Sequence, residues 1–337
     1  MILVDSVYIN DGGGLVLLKY LVKTLTSLNI EAFYLFDERT IKIFKDLDAE
    51  KLFIPNKLAL RKNFYINNAY KFKSVLCFGN VPPPLKIAAE VYTYFHQPLF
   101  LKIPAEFTLK NKILYKIKQL ILNYFINNTD KWLVQSELMS KEFSKKYLKG
   151  IDDTVQILPF YPPLNFNDDK RTKREKKSFL YVSNNAPHKN HENLIQAFCN
   201  AYDRTKEGSL TITVPSNAHT ICNMVKDKIA CGYPIVNLGF IDRSDLAKIY
   251  LTNEFLIFPS FAESFGLGLA EAIDGGCKVL VSNLPYAYQV CNPSLTFNPY
   301  TVASIEDAII KAVTQDLPDS IKIISNDINQ LILLLSE

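Results

Sequence analysis

Apolar residues along this chain fall into two kinds of run that alternate. Short, nearly unbroken runs, Ile2 to Tyr8, Glu31 to Phe36, Ser74 to Phe78, Val91 to Phe95 and Lys131 to Val134, have the length and continuity of strands covered on both faces. Between them lie longer or mixed segments, of which Leu15 to Leu28 spaces its apolar positions as a helix does. The first strand runs through Asn10-Asp11-Gly12-Gly13-Gly14 into that helix, the order of a βαβ unit with a glycine loop. A second alternating series begins at Ser178 to Val182. It continues with a helix from Glu192 to Tyr202, strand Leu210 to Val214, helix Ala218 to Ile229, strand Ile235 to Leu238 and helix Arg243 to Leu251. Strand Glu254 to Phe258, a short helix Leu267 to Ile273 stopped by Gly275-Gly276, and strand Lys278 to Val281 close it.

Ile157 to Pro163, rich in proline, and the charged run 168–177 separate the two series and read as an interdomain connection. The pattern predicts an α/β protein of two Rossmann-like domains with mostly parallel sheets facing a central cleft. The expected boundaries are 1–165, 166–318 and a tail, 319–337, that reads as an amphipathic helix.

Composition narrows the class. With 337 residues, 48% hydrophobic and 21% charged, the chain can bury two cores. No apolar run approaches the ~18 residues of a membrane span, and the start reads as a strand rather than a signal peptide, so a cytoplasmic protein is expected. The six cysteines are scattered without a CxxC pair and are expected to be reduced. The net charge of +4 is unevenly spread: residues 1–165 hold 22 Lys+Arg against 15 Asp+Glu, leaving 16 against 19 for the rest. A basic first half suits either an anionic membrane surface or plain solubility. Lys110, Lys112, Lys116 and Lys118, set among Ile113, Leu114, Ile117 and Leu120, mark a helix that either rests on such a surface or packs on the sheet. Nucleic acid is not expected, because no aromatic stacking motif or binding module accompanies the bases.

The chemistry concentrates in Pro259 to Ala272. Glu263 stands before a turn at Phe265-Gly266-Leu267, and Glu271 lies about one turn inside the helix that follows. Amides at such a helix start suit an anion such as a diphosphate, while the two carboxylates suit hydroxyls on either side, a sugar and a ribose. The plain alternative is a pair of solvated charges on a routine loop. Lys189, at the strand-to-helix turn before Glu192, has the charge and position to neutralise a departing diphosphate. His188 and His191 lie three apart, but no third ligand completes a zinc set, and no metal site is assigned. His96 follows an apolar strand and is either a site residue or a hydrogen-bonded structural histidine.

Glu263-Ser264-Phe265-Gly266-Leu267, with Phe258-Pro259-Ser260 before it and Glu271-Ala272 after it, resembles the donor-site signature of retaining family 4 glycosyltransferases of the GT-B fold, of the bacterial polysaccharide type. The resemblance implies a metal-independent hexosyltransferase that moves a sugar from a nucleotide-diphosphate sugar to a hydroxyl acceptor, a glycan or lipid-linked glycan. O-antigen or capsule assembly would be its setting, at the cytoplasmic membrane face as a peripheral protein. No cofactor beyond the donor is implied. Glu263 would hold donor-sugar hydroxyls, Glu271 the ribose, Lys189 the pyrophosphate, and His96 would orient the sugar. Gly13 and Gly14 would face the donor, and Phe240, after Gly239, would lie where relatives meet the nucleobase. Asn184 stands where the family has an arginine, so part of the usual phosphate charge is missing. The tail would cross back onto the first domain. A nucleotide-sugar-binding subunit without catalysis, or a GT-B epimerase or phosphorylase, is the alternative.

Overall fold

A computed structural model of the chain describes residues 1–103, 108–166, 173–263 and 265–336. Ser264 of the turn and part of the expected charged connection, 168–172, lie outside the described residues. The chain divides into two units, Met1–Pro162 with Ser325–Glu337, and Pro163–Ile324.

In the first unit, β1 (Ile2–Ser6), β2 (Ala32–Asp37), β3 (Lys51–Ile54), β4 (Ser74–Cys77), β5 (Glu90–Phe95), β6 (Lys131–Val134) and β7 (Val155–Ile157) form one sheet in the order β3-β2-β1-β4-β5-β6-β7. Every pairing in it is parallel. The helices are α1 (Gly12–Ser27), α2 (Ile41–Phe44), α3 (Leu58–Asn68), α4 (Leu109–Tyr124) and α5 (Glu137–Tyr147). Parallel strands need crossovers that cover both faces, and β1 is accordingly buried at all five positions. Aromatic side chains fill much of the space: Phe36 stacks on Phe44 at 4.3 Å, and Phe143 lies 4.6 Å from Phe95 and 4.5 Å from Trp132.

The second unit repeats the plan with β8 (Glu175–Tyr181), β9 (Ser209–Ile212), β10 (Ile235–Asn237), β11 (Asn253–Phe258), β12 (Lys278–Ser282), β13 (Cys291–Asn292), β14 (Leu295–Phe297) and β15 (Ile321–Lys322). Its main sheet runs β10-β9-β8-β11-β12-β14, again all parallel. Helices α6 (His191–Thr205), α7 (His219–Ala230), α8 (Arg243–Thr252), α9 (Leu267–Asp274) and α10 (Val302–Thr314) accompany it. In both sheets the order reverses direction beside the unit's first strand, the doubly wound pattern. No helix among the described residues is long and apolar enough to cross a membrane.

The tail departs from the expected single helix over 319–337. Its β-branched run pairs instead: β15 lies antiparallel to β13 within the second unit, and Ser320 Oγ accepts from the Val279 and Ser294 amides. Only α11 (Ile328–Ser336) is helical. It belongs to the first unit, where Ile328, Leu331, Ile332 and Leu335 are buried and the Ser74 hydroxyl donates to the Leu335 carbonyl at 2.7 Å. The unit boundaries thus fall after 162 and after 324 rather than at 165 and 318, because the chain crosses only once β15 is paired.

One buried charge cluster ties the first unit together. Arg61 of α3 donates to Asp5 of β1 at 2.7 Å and to the carbonyls of Val81 and Pro82, and Tyr65 donates to the same Asp5 oxygen at 2.7 Å. Arg61 and Asp5 are each 1% exposed, so the pair is kept by its full set of partners rather than by Coulomb attraction alone. Arg61→Met would leave Asp5 buried without its counter-charge. A loss of about 3–5 kcal/mol is expected in denaturant unfolding of the first unit, with most of it regained in the double variant Asp5→Leu/Arg61→Met.

Candidate functional site

In the second unit the chain leaves β8 and β11, neighbours at which the strand order reverses, in different directions. Such a switch point opens a crevice at the carboxyl ends of the strands. The loops that leave them are bonded to each other. Tyr181 Oη donates to the Lys189 carbonyl at 2.8 Å and lies 3.0 Å from Ser260 Oγ. The Phe261 amide donates to the His188 carbonyl at 2.8 Å, and Asn190 Nδ2 donates to the carbonyls of Pro259 and Pro299. Asn190 is left-handed at φ 59°, a conformation asparagine tolerates better than most residues, and it turns the chain into α6.

These bonds place Lys189 Nζ 2.6 Å from Glu263 Oε1, with side chains only 14% and 10% exposed. The ammonium also sits 5.8 Å from the Phe258 ring centroid. Lysine has three donors, so the ion pair with Glu263 leaves capacity for an anion.

Gly266 precedes α9 at φ +68°, and a Cβ there would lie 3.2 Å from Leu269 Cδ1, so the turn requires glycine. Leu267 is the first residue of α9, where amides have no acceptor within the helix and the helix dipole favours negative charge. Phe265 is buried and anchors the turn. Glu271, in α9, is 4% exposed. Arg243, the first residue of α8, brings Nη1 to 2.5 Å from Glu271 Oε1, and Tyr250 of α8 donates to Oε2 at 3.3 Å. Burial raises the Glu271 carboxyl above its ordinary range, and the Arg243 charge opposes that rise.

Asn184 is exposed, and its Oδ1 accepts from the Ala186 amide at 3.1 Å, so half of its amide shapes the turn towards Lys189. Phe240 is 76% exposed just beyond β10. Asn237 Oδ1 accepts from the amides of Val214 and of Gly239, which has φ +74°, and this holds the loop. Since β10 lies three strands from β11, Phe240 is displaced along the sheet edge from Glu263 by roughly 14 Å.

In the first unit the expected glycine loop is instead the first turn of α1. The helix begins at Gly12 after Asp11, and Gly12 itself takes φ +60°, the left-handed conformation that glycine adopts at no steric cost. A Cβ on Gly13 would meet nothing within 4 Å, whereas one on Gly14 would lie 3.2 Å from His96 Cε1. Gly14 therefore lets α1 approach the histidine. The His96 amide donates to Asn80 Oδ1 at 2.7 Å, and the ring packs 5.1 Å from Phe78 and 5.8 Å from Tyr94. Burial pushes the imidazole down to about 4, so it is neutral near pH 7 and offers one donor and one acceptor.

Lys189 and Glu263 thus meet, Glu271 lies in the same unit with its own cation, and Gly14 and His96 meet in the other. Tyr181, Asn190, Ser260, Arg243 and Tyr250 were missed by sequence reasoning. Asn190 had a signal, as a cap-type residue directly before a helix. Ser260 stands in the quoted signature and Tyr181 bonds Lys189 only eight residues on, whereas Arg243 and Tyr250 had no signal, since their partner Glu271 lies 21 or more residues away.

Residues 165–329 match the sequence profile of the family described as glycosyl transferases group 1. The chain is 28% identical over 179 residues to the O-antigen chain mannosyltransferase RfbU of Salmonella typhimurium, an alignment covering 52% of this chain and 48% of that protein. It therefore spans about half the length of this relative. Among solved structures, sucrose-phosphate synthase from Thermosynechococcus elongatus aligns with a TM-score of 0.67 at 16% identity, covering 93% of this chain and 91% of the other. Anabaena Alr3699/HepE, solved with UDP and glucose, aligns with a TM-score of 0.64 at 12% identity, covering 93% and 89%. These likenesses establish the fold.

The histidine geometry has a consequence for pH. Unfolded, His96 takes a proton near pH ~6.5; folded, it resists protonation until about 4. Its neutral burial is fully compatible with the folded state above ~6.5, and stability is lost as pH falls from there towards about 4. Urea unfolding of the first unit is expected to weaken more steeply over that window in the native chain than in His96→Gln.

Proposed function

This chain carries a glycosyl transferases group 1 domain over residues 165–329, and from that premise we propose that it is a retaining hexosyltransferase using a nucleotide-diphosphate sugar. The observation that carries the reading is the Lys189–Glu263 pair held across the switch point between β8 and β11. In the reaction, the bond from the anomeric carbon to the diphosphate breaks and one to the acceptor hydroxyl oxygen forms, the hydroxyl proton passing to the departing diphosphate, with the anomeric configuration kept. Lys189 and the amides at Phe265 to Leu267 stabilise charge gathering on the leaving diphosphate, more in the transition state than before it. Glu263 accepts from sugar hydroxyls and Glu271 from the ribose. The Phe240 segment lies by the base. Asn184 supplies a hydrogen bond without charge, so Lys189 and the helix start carry the phosphate. His96 keeps a neutral hydrogen-bonding role. No metal or further cofactor enters this scheme. The similarity to an O-antigen mannosyltransferase supports a glycan acceptor in surface polysaccharide assembly and makes mannose the first donor sugar to try.

A second reading concerns location. On α4, Leu109, Ile113, Ile117, Leu120 and Tyr124 are each half or more exposed, and at 3.6 residues per turn they form one stripe. Lys110 and Lys116 fall on either side of it, the pattern of a helix lying in an anionic membrane interface with its lysines reaching the headgroups. We assign the chain to the cytoplasmic membrane face, where a lipid-linked acceptor is reached.

Transfer and hydrolysis measured over UDP-, GDP- and dTDP-sugars, with and without EDTA, test the activity. Turnover of one donor, unaffected by EDTA and giving an anomer-retaining product by NMR, is expected. Nucleotide binding that saturates without turnover would instead identify a binding subunit. Lys189→Ala and Glu271→Ala are each expected to lower transfer tenfold or more, as the loss of about 2–4 kcal/mol of transition-state stabilisation does; unchanged rates in both would overturn the site. For the membrane reading, co-sedimentation with phosphatidylglycerol vesicles but not phosphatidylcholine vesicles is expected, and Ile113→Glu/Ile117→Glu should abolish it. Equal sedimentation of that variant would refute the assignment to α4.

A further inference from the structure

Glu271 is covered in a way that its proposed role must overcome. Its side chain is 5% exposed, and Oε1, paired with the Arg243 guanidinium 2.5 Å away, has essentially no surface left. The other oxygen faces Tyr250, which is itself fully buried. Arg243 and Tyr250 stand seven residues apart, two turns along one face of α8, so this helix presents one group to each carboxylate oxygen. The packing that brings α8 onto α9 is close: a Cβ on Gly275 would lie 2.7 Å from Tyr250 Cβ, and one on Gly268 would lie 3.5 Å from its hydroxyl. Tyr250 cannot withdraw without repacking. Arg243 is different, because its side chain starts at the first turn of α8 and stays 30% exposed.

We propose that Arg243 competes for the place on Glu271 Oε1 that the donor's ribose hydroxyls take, and that it must swing away before a nucleotide binds. This rests on the ribose-binding role given to Glu271 above. An intramolecular partner that holds the binding group lowers apparent affinity by the fraction of time the group is released. Arg243 is then the residue that sets how tightly nucleotides bind, and it acts only on ligands that bring hydroxyls to the carboxylate. Only the guanidinium side of this pair reaches solvent, so the contact opens by movement of Arg243 while the carboxylate stays in place.

The test is isothermal titration of the intact chain with UDP, GDP and their 2′,3′-dideoxy counterparts at about pH 8. In the native chain the ribonucleotide is expected to bind more tightly than its dideoxy form. In Arg243→Gln the ribonucleotide should gain affinity by about three- to tenfold, with the dideoxy form unchanged, so that the preference widens. Arg243→Lys, which keeps a charge but loses the planar fork, should lie between. In Glu271→Gln the ribose preference should vanish. If Glu271→Gln removes the preference but Arg243→Gln leaves affinity unchanged or weakens it, the competition is refuted and the ribose role stands. If Glu271→Gln keeps the preference, or the native chain binds neither ribonucleotide, the ribose role itself fails and the competition with it.

Discussion

Parallel pairing is the constraint from which the rest follows. A sheet with no antiparallel member sends every chain exit to the same edge, and a reversal of strand order leaves two adjacent exits with nothing between them. In the second unit those exits belong to β8 and β11, and the residues that matter stand in the few positions just beyond them. The first unit obeys the same rule: Gly14 follows β1, Asn80 follows β4 and His96 follows β5. The chemistry is thus placed by topology before any particular side chain is chosen.

Charge is arranged in this site by pairing rather than by accumulation. Glu263 is held by Lys189 and Glu271 by Arg243, so each acidic group of the motif has its own cation. A carboxylate beside a diphosphate would repel it if left alone; with a cation between, the local field is close to neutral and becomes favourable once the cation turns to the anion. Asn184 is uncharged, and its side-chain carbonyl accepts from the Ala186 amide in the turn. The loop that carries Lys189 is shaped by neutral hydrogen bonds, and its single ammonium is held by Glu263.

Much of this was legible in the chain. The central strands are unbroken apolar runs because both faces are covered, and β1, β4, β5, β8, β11 and β12 could be read directly. Edge strands carry a weaker signal. β3, β7 and β14 are half-exposed along most of their length, and nothing in their composition separates them from loop. The helix start at Gly12 was hidden because three glycines read as a loop, and Gly12 does take a left-handed turn conformation, φ +60°, on entering α1. Of the site, Lys189 and Glu263 could be placed because each lies a fixed step from a recognisable strand. The Arg243–Glu271 contact could not, since it depends on how closely α8 packs on α9, and that is decided by Gly268, Gly275 and the Tyr250 side chain together.

The Phe261 amide, donated to the His188 carbonyl, carries a last implication. It is a loop amide bonded to another loop, with Tyr181, Asn190 and Tyr286 securing the same junction through Ser260 and Pro259. Breaking it requires separating the exits of β8 and β11, which amounts to opening the middle of the sheet. Its proton should therefore exchange with solvent as slowly as those of the central strands, well below the rate usual for surface loops. The floor of this site would then belong to the most persistent part of its unit.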